Sequence, residues 1–128
     1  MANEEILTYL QDVLDAINDV QSCFTDFPDS FDLFERDMMR KCVVERKTEI
    51  MDEAINRIRK VEPTLEIPNA RAIIDTRNRI IHSYDNVQPA FLWSLVRRHI
   101  PQLKKDITRI ITDYEELYNR EQRITPGN

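Results

Sequence analysis

The chain has 128 residues, 41% hydrophobic and 32% charged, which is the composition of one soluble globular domain large enough to form its own core. Its single glycine excludes a protein rich in tight β-hairpins, and its net charge of −5 excludes a broad nucleic-acid-binding coat. The chain lacks both an apolar run near the roughly 20 residues of a bilayer span and the basic start of a secretory leader, so we expect a cytoplasmic protein without membrane contact.

Apolar residues recur at helical spacing through the first half of the chain. The first predicted helix buries Ile6, Leu7, Leu10, Val13, Leu14, Ile17 and Val20. Pro28 ends it, and Asp29 or Ser30 caps a long second helix that runs to Pro63. The predicted buried side of this second helix comprises Phe34, Met38, Cys42, Val43, Ile50, Ala54, Ile58 and Val61. Both cysteines, Cys23 and Cys42, are expected to be free buried thiols.

The second half of the chain predicts three more helices. Pro68 precedes a third helix that begins near Asn69 and carries Ala70, Ile73, Ile74, Ile80 and Ile81. After a turn at residues 83–88, Pro89 begins a fourth helix, and Pro101 kinks the chain or begins a fifth. The fold class is therefore all-α: an antiparallel four-helix bundle with a short additional helix over residues 1–120, followed by a frayed tail over residues 121–128.

Arg77 is the anomaly of the third helix. On a helical wheel with Ile73 at zero, Arg77 falls at about 40°, inside an apolar stripe that also holds Ile80 and Ile81. A guanidinium in that position must be paired or must face a cleft or an interface. The simplest explanation is an internal ion pair with Glu45, Glu49 or Glu53 of the second helix, which we list as the structural alternative.

His82 gives this segment a chemical interpretation. Its side chain can accept a proton near neutral pH, and an arginine can hold a phosphate and its developing charge. Cleavage of RNA without a metal ion needs these two functions, because a base must deprotonate the ribose 2′-hydroxyl before that oxygen attacks the adjacent phosphate. On an unbroken helix, however, Arg77 and His82 point about 140° apart, so they meet only at a helix end or across two subunits.

The motif Arg77-x-x-x-x-His82-x-Tyr84 resembles that of the HEPN ribonucleases, in the form found in toxins of the HepT type. The resemblance extends to Ile67-Pro68 before the third helix, to Trp93 and to the Pro-x-Leu start of the last helix at residues 101–103. It implies that Arg77 and His82 are catalytic. We assign Asn78 and Arg79, the two residues that follow Arg77, to substrate binding.

The resemblance also implies partners. Such toxins are homodimers whose two motifs face each other across a cleft, and a minimal nucleotidyltransferase antitoxin holds them in check. In these pairs the partner can transfer AMP to the tyrosine of the motif, here Tyr84. The chain departs from the family at Asn69, where tryptophan is usual, at Asp52, where glycine is usual, and at Gln88, where aspartate is usual. We expect none of these departures to touch the catalytic pair.

Other kinds of site find no support in the sequence. Neither His82 nor His99 follows a glutamate by three residues, as a di-iron bundle requires, and no zinc-ligand spacing or glycine-rich phosphate loop is present. We therefore expect no metal ion and no cofactor. Two functions remain: a metal-independent endoribonuclease toxin, or a non-catalytic HEPN subunit that binds nucleotide or acts as the scaffold of a nucleotidyltransferase complex.

Overall fold

The computed structural model describes residues 2–82 and 89–124, in which all regular secondary structure is helical and no β-strand occurs. This confirms the predicted all-α fold class. The helices are α1 (Ala2–Cys23), α2 (Phe31–Glu35), α3 (Met38–Val61), α4 (Ala70–His82), α5 (Pro89–Ser94) and α6 (Ile100–Ile124), with a π-helical turn (Leu95–His99) between α5 and α6.

Helices α1 and α3 form the main pair of the bundle and run antiparallel. Lys47 Nζ lies 2.8 Å from Asp19 Oδ2, near the end of α1 and the first half of α3. At the other end of the pair, the Arg57 guanidinium lies 5.9 Å from the centre of the Tyr9 ring. Because later positions of α3 meet earlier positions of α1, the two helices run in opposite directions.

Helix α6 packs along another side of α1, also antiparallel. Asn3 Nδ2 donates to Glu121 Oε1 at 2.6 Å, and Lys104 Nζ donates to Gln21 Oε1 at 3.1 Å. Between the helices lies one continuous apolar core. Its largest fully buried side chains are Phe34, Ile6, Leu10, Ile17, Met51, Ile55, Ile58, Ile73, Leu92, Leu95, Ile100 and Leu103.

The second predicted helix is in fact two helices. Ser30 caps α2 as predicted, since its hydroxyl accepts from the Leu33 amide. Asp37 then begins a new helix, because its carboxylate accepts from the Arg40 amide at 3.0 Å. This break changes the exposed face of the chain. Met38 is 67% exposed and Cys42 is exposed as well, so their predicted burial was wrong.

Aromatic side chains tie the α2 region to α5. Trp93 stacks on Phe34 with 5.1 Å between ring centres, and Phe24 and Phe27 contact the same indole. The Arg40 guanidinium lies 4.5 Å from the centre of the Phe27 ring, which adds a cation–π contact at the edge of the cluster. This cluster anchors α5 and thereby the start of the helical run that leads into α6.

The π-helical turn explains how the chain passes Pro101. Proline has no amide hydrogen and would clash with the carbonyl four residues earlier in a regular helix. In the π-helical turn the Ile100 amide instead bonds the Leu95 carbonyl, five residues back. The helical run therefore continues through Pro101 into α6. Helix α6 ends at Ile124, so it includes residues 121–124 of the predicted tail.

Candidate active site

Helix α4 is held against the bundle by its first half. Asn69, just before it, adopts a φ of 68°, a left-handed conformation that asparagine tolerates better than most residues. The Asn69 amide group donates to Asp106 Oδ2 of α6 at 2.7 Å. Ala70, Ile73 and Thr76 are buried below it. These contacts orient the second half of α4, where the motif lies.

Arg77 pairs with an acid on α3, as the structural alternative expected, although with a different acid. Its Nε lies 3.2 Å from Asp52 Oδ2, whereas Glu45, Glu49 and Glu53 do not pair with it. The side chain of Arg77 is 35% exposed and that of Asp52 is 10% exposed. Asp52 therefore holds the Arg77 guanidinium at its Nε, while part of the Arg77 side chain remains at the surface of the single chain.

The environment of Asp52 opposes its ionisation. Burial raises the pKa of Asp52, and the nearby guanidinium of Arg77 lowers it without cancelling the effect of burial. Asn56 Nδ2 also donates to Asp52 Oδ2, at 3.2 Å. Asp52 stands where the family often has glycine, so the expectation that no departure touches the catalytic pair was wrong. This chain gives the motif arginine a buried carboxylate as its support.

Sequence reasoning missed Asp52, although a signal was present. Asp52 lies among residues of the buried side of α3, one position after Met51 and three before Ile55. An acid at that spacing within an apolar helix face needs a cation opposite it. The predicted partners were instead Glu45, Glu49 and Glu53, which are half-buried or exposed in the structure.

His82 is the last residue of α4 and is exposed. In the part of the chain that the structure describes, no hydrogen bond or ion pair joins it to Arg77, and their helical positions are about 140° apart. Asn78 is exposed one turn before His82 and shares its face of α4. A single chain therefore presents the two motif residues on different sides of the same helix end. Tyr84, the predicted modification site, lies outside the described residues.

Arg79 faces α5 rather than α3. Its guanidinium carbon lies 3.5 Å from the centre of the Phe91 ring, a close cation–π contact. The structure thus separates the predicted site residues: Arg77 faces α3, Arg79 faces α5, and Asn78 and His82 face solvent.

The apolar stripe predicted for α4 is only partly buried. Ile73 is fully buried, Ile74 and Ile80 are half-buried, and Ile81 is 49% exposed. Ile81, one of the predicted apolar members of this helix, therefore lies outside the core of the single chain. The second half of α4 therefore displays apolar surface next to Arg77.

In residues 2–82 and 89–124, no three His, Cys, Asp or Glu side chains are grouped as a metal ion would need. No helix there combines the length and the apolar character needed to cross a membrane.

Comparison with known proteins identifies the family. A model of the HepT-like ribonuclease family matches residues 10–110. "Putative RNase MJ1380" of Methanocaldococcus jannaschii is 29% identical over 109 residues, which are 84% of this chain and 97% of that protein. "Putative RNase MJ0125" of the same organism is 29% identical over 118 residues, 91% of this chain and 99% of that protein. No solved structure matches the chain significantly. The family match includes the whole of α4 with Arg77 and His82, and the chain belongs to the HepT-like ribonuclease family.

Proposed function

We propose that the chain is a metal-independent endoribonuclease that acts in the cytoplasm as the toxin of a toxin–antitoxin pair. The observation that carries the proposal is the position of Arg77. Asp52 engages its Nε at 3.2 Å, and no described residue accepts a hydrogen bond from its terminal amino groups. The Arg77 side chain is about one-third exposed and is fixed at its Nε by Asp52. Its terminal amino groups can therefore bind a phosphate.

The proposed reaction uses proton transfer and electrostatic stabilisation. His82 accepts the proton of the ribose 2′-hydroxyl, and the 2′-oxygen forms a bond to the adjacent phosphorus. The bond from phosphorus to the 5′-oxygen breaks, and that oxygen takes a proton from a second, protonated His82. Arg77 stabilises the negative charge that builds up on the phosphoryl oxygens. The products are a 2′,3′-cyclic phosphate and a free 5′-hydroxyl.

A homodimer supplies the second His82 of this scheme. One chain leaves Arg77 and His82 on different sides of α4, so the residues of one site come from two copies. The exposed Ile81 and the half-buried Ile80 give a second copy an apolar surface to cover beside the motif. The closed symmetry of a dimer would place both motifs at one cleft.

We further propose that a minimal nucleotidyltransferase antitoxin controls the enzyme through Tyr84. The Tyr84 hydroxyl attacks the α-phosphate of ATP, AMP becomes attached to its oxygen, and pyrophosphate leaves. Tyr84 is two residues from His82 in the sequence. A nucleotide attached there adds negative charge and bulk next to the site, which would repel and exclude an RNA phosphate.

The Arg77–Asp52 pair also supports the second candidate, a non-catalytic subunit that binds nucleotide or acts as a scaffold for a nucleotidyltransferase. A purely structural arginine would have such an internal partner. The two candidates differ in what they require of His82, because a scaffold has no use for a base at the exposed end of α4.

The deciding experiment is cleavage of labelled RNA in EDTA by the unmodified protein and by His82→Ala and Arg77→Ala. The matched control is Arg57→Ala, since Arg57 also pairs with an acid of α3 but lies on an exposed helix face. We expect cleavage by the unmodified protein and the control only. Cleavage that survives in His82→Ala, or that requires added metal, would contradict the proposed mechanism. Intact mass measurement shows beforehand whether the sample carries AMP.

A further inference from the structure

A second cleft lies on the side of α4 that faces α5 and the π-helical turn. It has a volume of about 540 Å³, and Arg77 and His82 are not among its lining residues. We call it the α4–α5 cleft and define it by six of its lining residues: Arg71, Asp75, Arg79, Phe91, Ser94 and His99. This combination of cations, an aromatic ring and small hydrogen-bonding groups differs from the apolar lining of an ordinary packing defect.

Arg79 is positioned in this cleft by the ring of Phe91. The Phe91 ring holds the guanidinium from one side, at 3.5 Å from its centre. No described carboxylate pairs with Arg79, and no described residue accepts a hydrogen bond from it. A cation–π contact fixes the plane of a guanidinium and leaves the N–H groups at its edge available. The outer face of the same plane can stack on a nucleobase.

Arg71 provides a second cation at the other end of the cleft. Its Nε lies 3.1 Å from Asp75 Oδ1, yet 82% of its side chain is exposed. An exposed pair of this kind is weak, so a phosphate can compete with Asp75 for the guanidinium. Arg71 and Arg79 are two turns apart on one helix, which places them about 12 Å apart along its axis.

The π-helical turn contributes the far wall. It aims His99 into the α4–α5 cleft, and beyond Ser94 it lines an adjoining hollow with Arg97 and Arg98. In that hollow Arg97 lies 5.5 Å from the centre of the Trp93 ring, and its Nε also pairs with Asp29 Oδ1 at 3.3 Å. Arginine and aromatic side chains therefore line the surface on both sides of Ser94, with Asp75 in the cleft and Asp29 in the adjoining hollow.

The cleft leads towards His82. With Arg71 at zero on the helical wheel, Asp75, Arg79 and His82 lie at about 40°, 80° and 20°. The cleft face of α4 and the exposed histidine thus share one side of the helix. A strand bound along this side would reach His82 at its end.

From these observations we infer that the α4–α5 cleft binds single-stranded RNA next to the cleavage site. Arg79 and Arg71 contact two phosphates of the same strand, and an unpaired base stacks on the guanidinium plane that Phe91 supports. A double helix would keep its bases stacked on each other and could not use this plane. The inference rests on the proposed ribonuclease function, since it assigns a substrate path to the same enzyme.

Binding can be measured separately from cleavage in full-length His82→Ala protein. Fluorescence anisotropy with a labelled single-stranded RNA octamer would compare Arg79→Gln with Arg46→Ala, an exposed arginine of α3 that lies away from the cleft. We expect Arg79→Gln to weaken binding on the order of 5- to 100-fold. The slope of affinity against salt should become shallower by about one unit. Phe91→Leu keeps an apolar side chain in place while removing the ring, and should also weaken binding.

The outcomes distinguish the cleft from the catalytic mechanism. Equal affinities of the Arg79→Gln and Arg46→Ala proteins, equal binding of duplex and single-stranded RNA, or no RNA binding would each overturn the inference. Full cleavage by an otherwise unmodified Arg79→Gln protein, with His82→Ala inactive, would also overturn it while leaving the proposed ribonuclease intact. A third outcome would separate the two proposals in the other direction. If Arg79→Gln weakened binding while the protein with its native His82 cleaved no RNA, the result would support the cleft and refute the catalytic proposal.

Discussion

Arg77→Ala separates the structural role of the motif arginine from its catalytic role. At an effective dielectric constant of about 20, charges 3.2 Å apart attract by roughly 5 kcal/mol before desolvation is counted. The pKa of Asp52 is nevertheless raised, so burial of this carboxylate outweighs the attraction of Arg77. Removing Arg77 leaves a 10%-exposed carboxylate without its cation. Between the limits for exposed and fully buried pairs, we expect a loss of about 1–2 kcal/mol in the free energy of unfolding.

That loss corresponds to a decrease in melting temperature on the order of 3–10 °C. Adding Asp52→Asn to Arg77→Ala removes the orphaned charge and should restore most of the stability. Cleavage should decrease on the order of 10²–10³-fold in Arg77→Ala and should stay low in the double variant, because no guanidinium faces the phosphate.

The assay pairs denaturant unfolding with cleavage of labelled RNA for both variants and for Arg57→Ala, which should resemble the unmodified protein. If cleavage returned together with stability in the double variant, Arg77 would be a structural residue and the catalytic assignment would fail. If Arg77→Ala unfolded at the same denaturant concentration as the unmodified protein, the inferred strength of its pair with Asp52 would be wrong.

Four further results are expected. The pKa of Asp52 is raised in the folded state, so the free energy of unfolding should decrease as pH rises through that pKa and Asp52 loses its proton. Asp52→Asn should remove this decrease from the curve of unfolding free energy against pH. Asp37→Ala should cost about 1 kcal/mol at neutral pH by removing the cap of α3. Hydrogen bonds from Arg40 lower the pKa of Asp37, so this difference should shrink as pH falls below about 4, which urea unfolding at several pH values would show. Sedimentation equilibrium should show a dimer that Ile81→Glu dissociates, and a monomeric unmodified protein would refute the two-chain site. Co-expression with a minimal nucleotidyltransferase of the proposed antitoxin type should add AMP, detected by intact mass, unless Tyr84 is replaced by Phe; AMP found on another residue would exclude Tyr84.

The helix class and several helix ends could be predicted from the sequence, because proline and capping residues act locally. Ser30 and Pro89 begin helices where their chemistry predicts. The break at Asp37 was missed because the apolar Met38 that follows continues the helical spacing, and spacing cannot show that a carboxylate caps a new helix. The exposure of Ile81 could not be predicted for a related reason, since an apolar stripe has the same sequence pattern whether or not the core of its own chain covers it.

The sequence motif predicts which residues form the candidate site, and that assignment stays a prediction; it does not predict how their side chains are oriented. The motif identified Arg77 and His82, whereas the support from Asp52 depends on how α3 packs against α4, which no local pattern encodes. The contact of Arg79 with Phe91 likewise depends on where α5 lies.

The π-helical turn divides the last long helical run into two segments with different rotational phase. Deleting one residue within 95–99 could return the run to a regular helix and rotate everything before the deletion by about 100° relative to α6. The apolar side of α6, with Leu103 and Ile107, would keep its place against α1. Trp93 would leave the aromatic cluster and Ser94 would leave the α4–α5 cleft. When relatives are aligned, a one-residue gap at this point therefore marks a change in the functional surface of the bundle even where every core position matches.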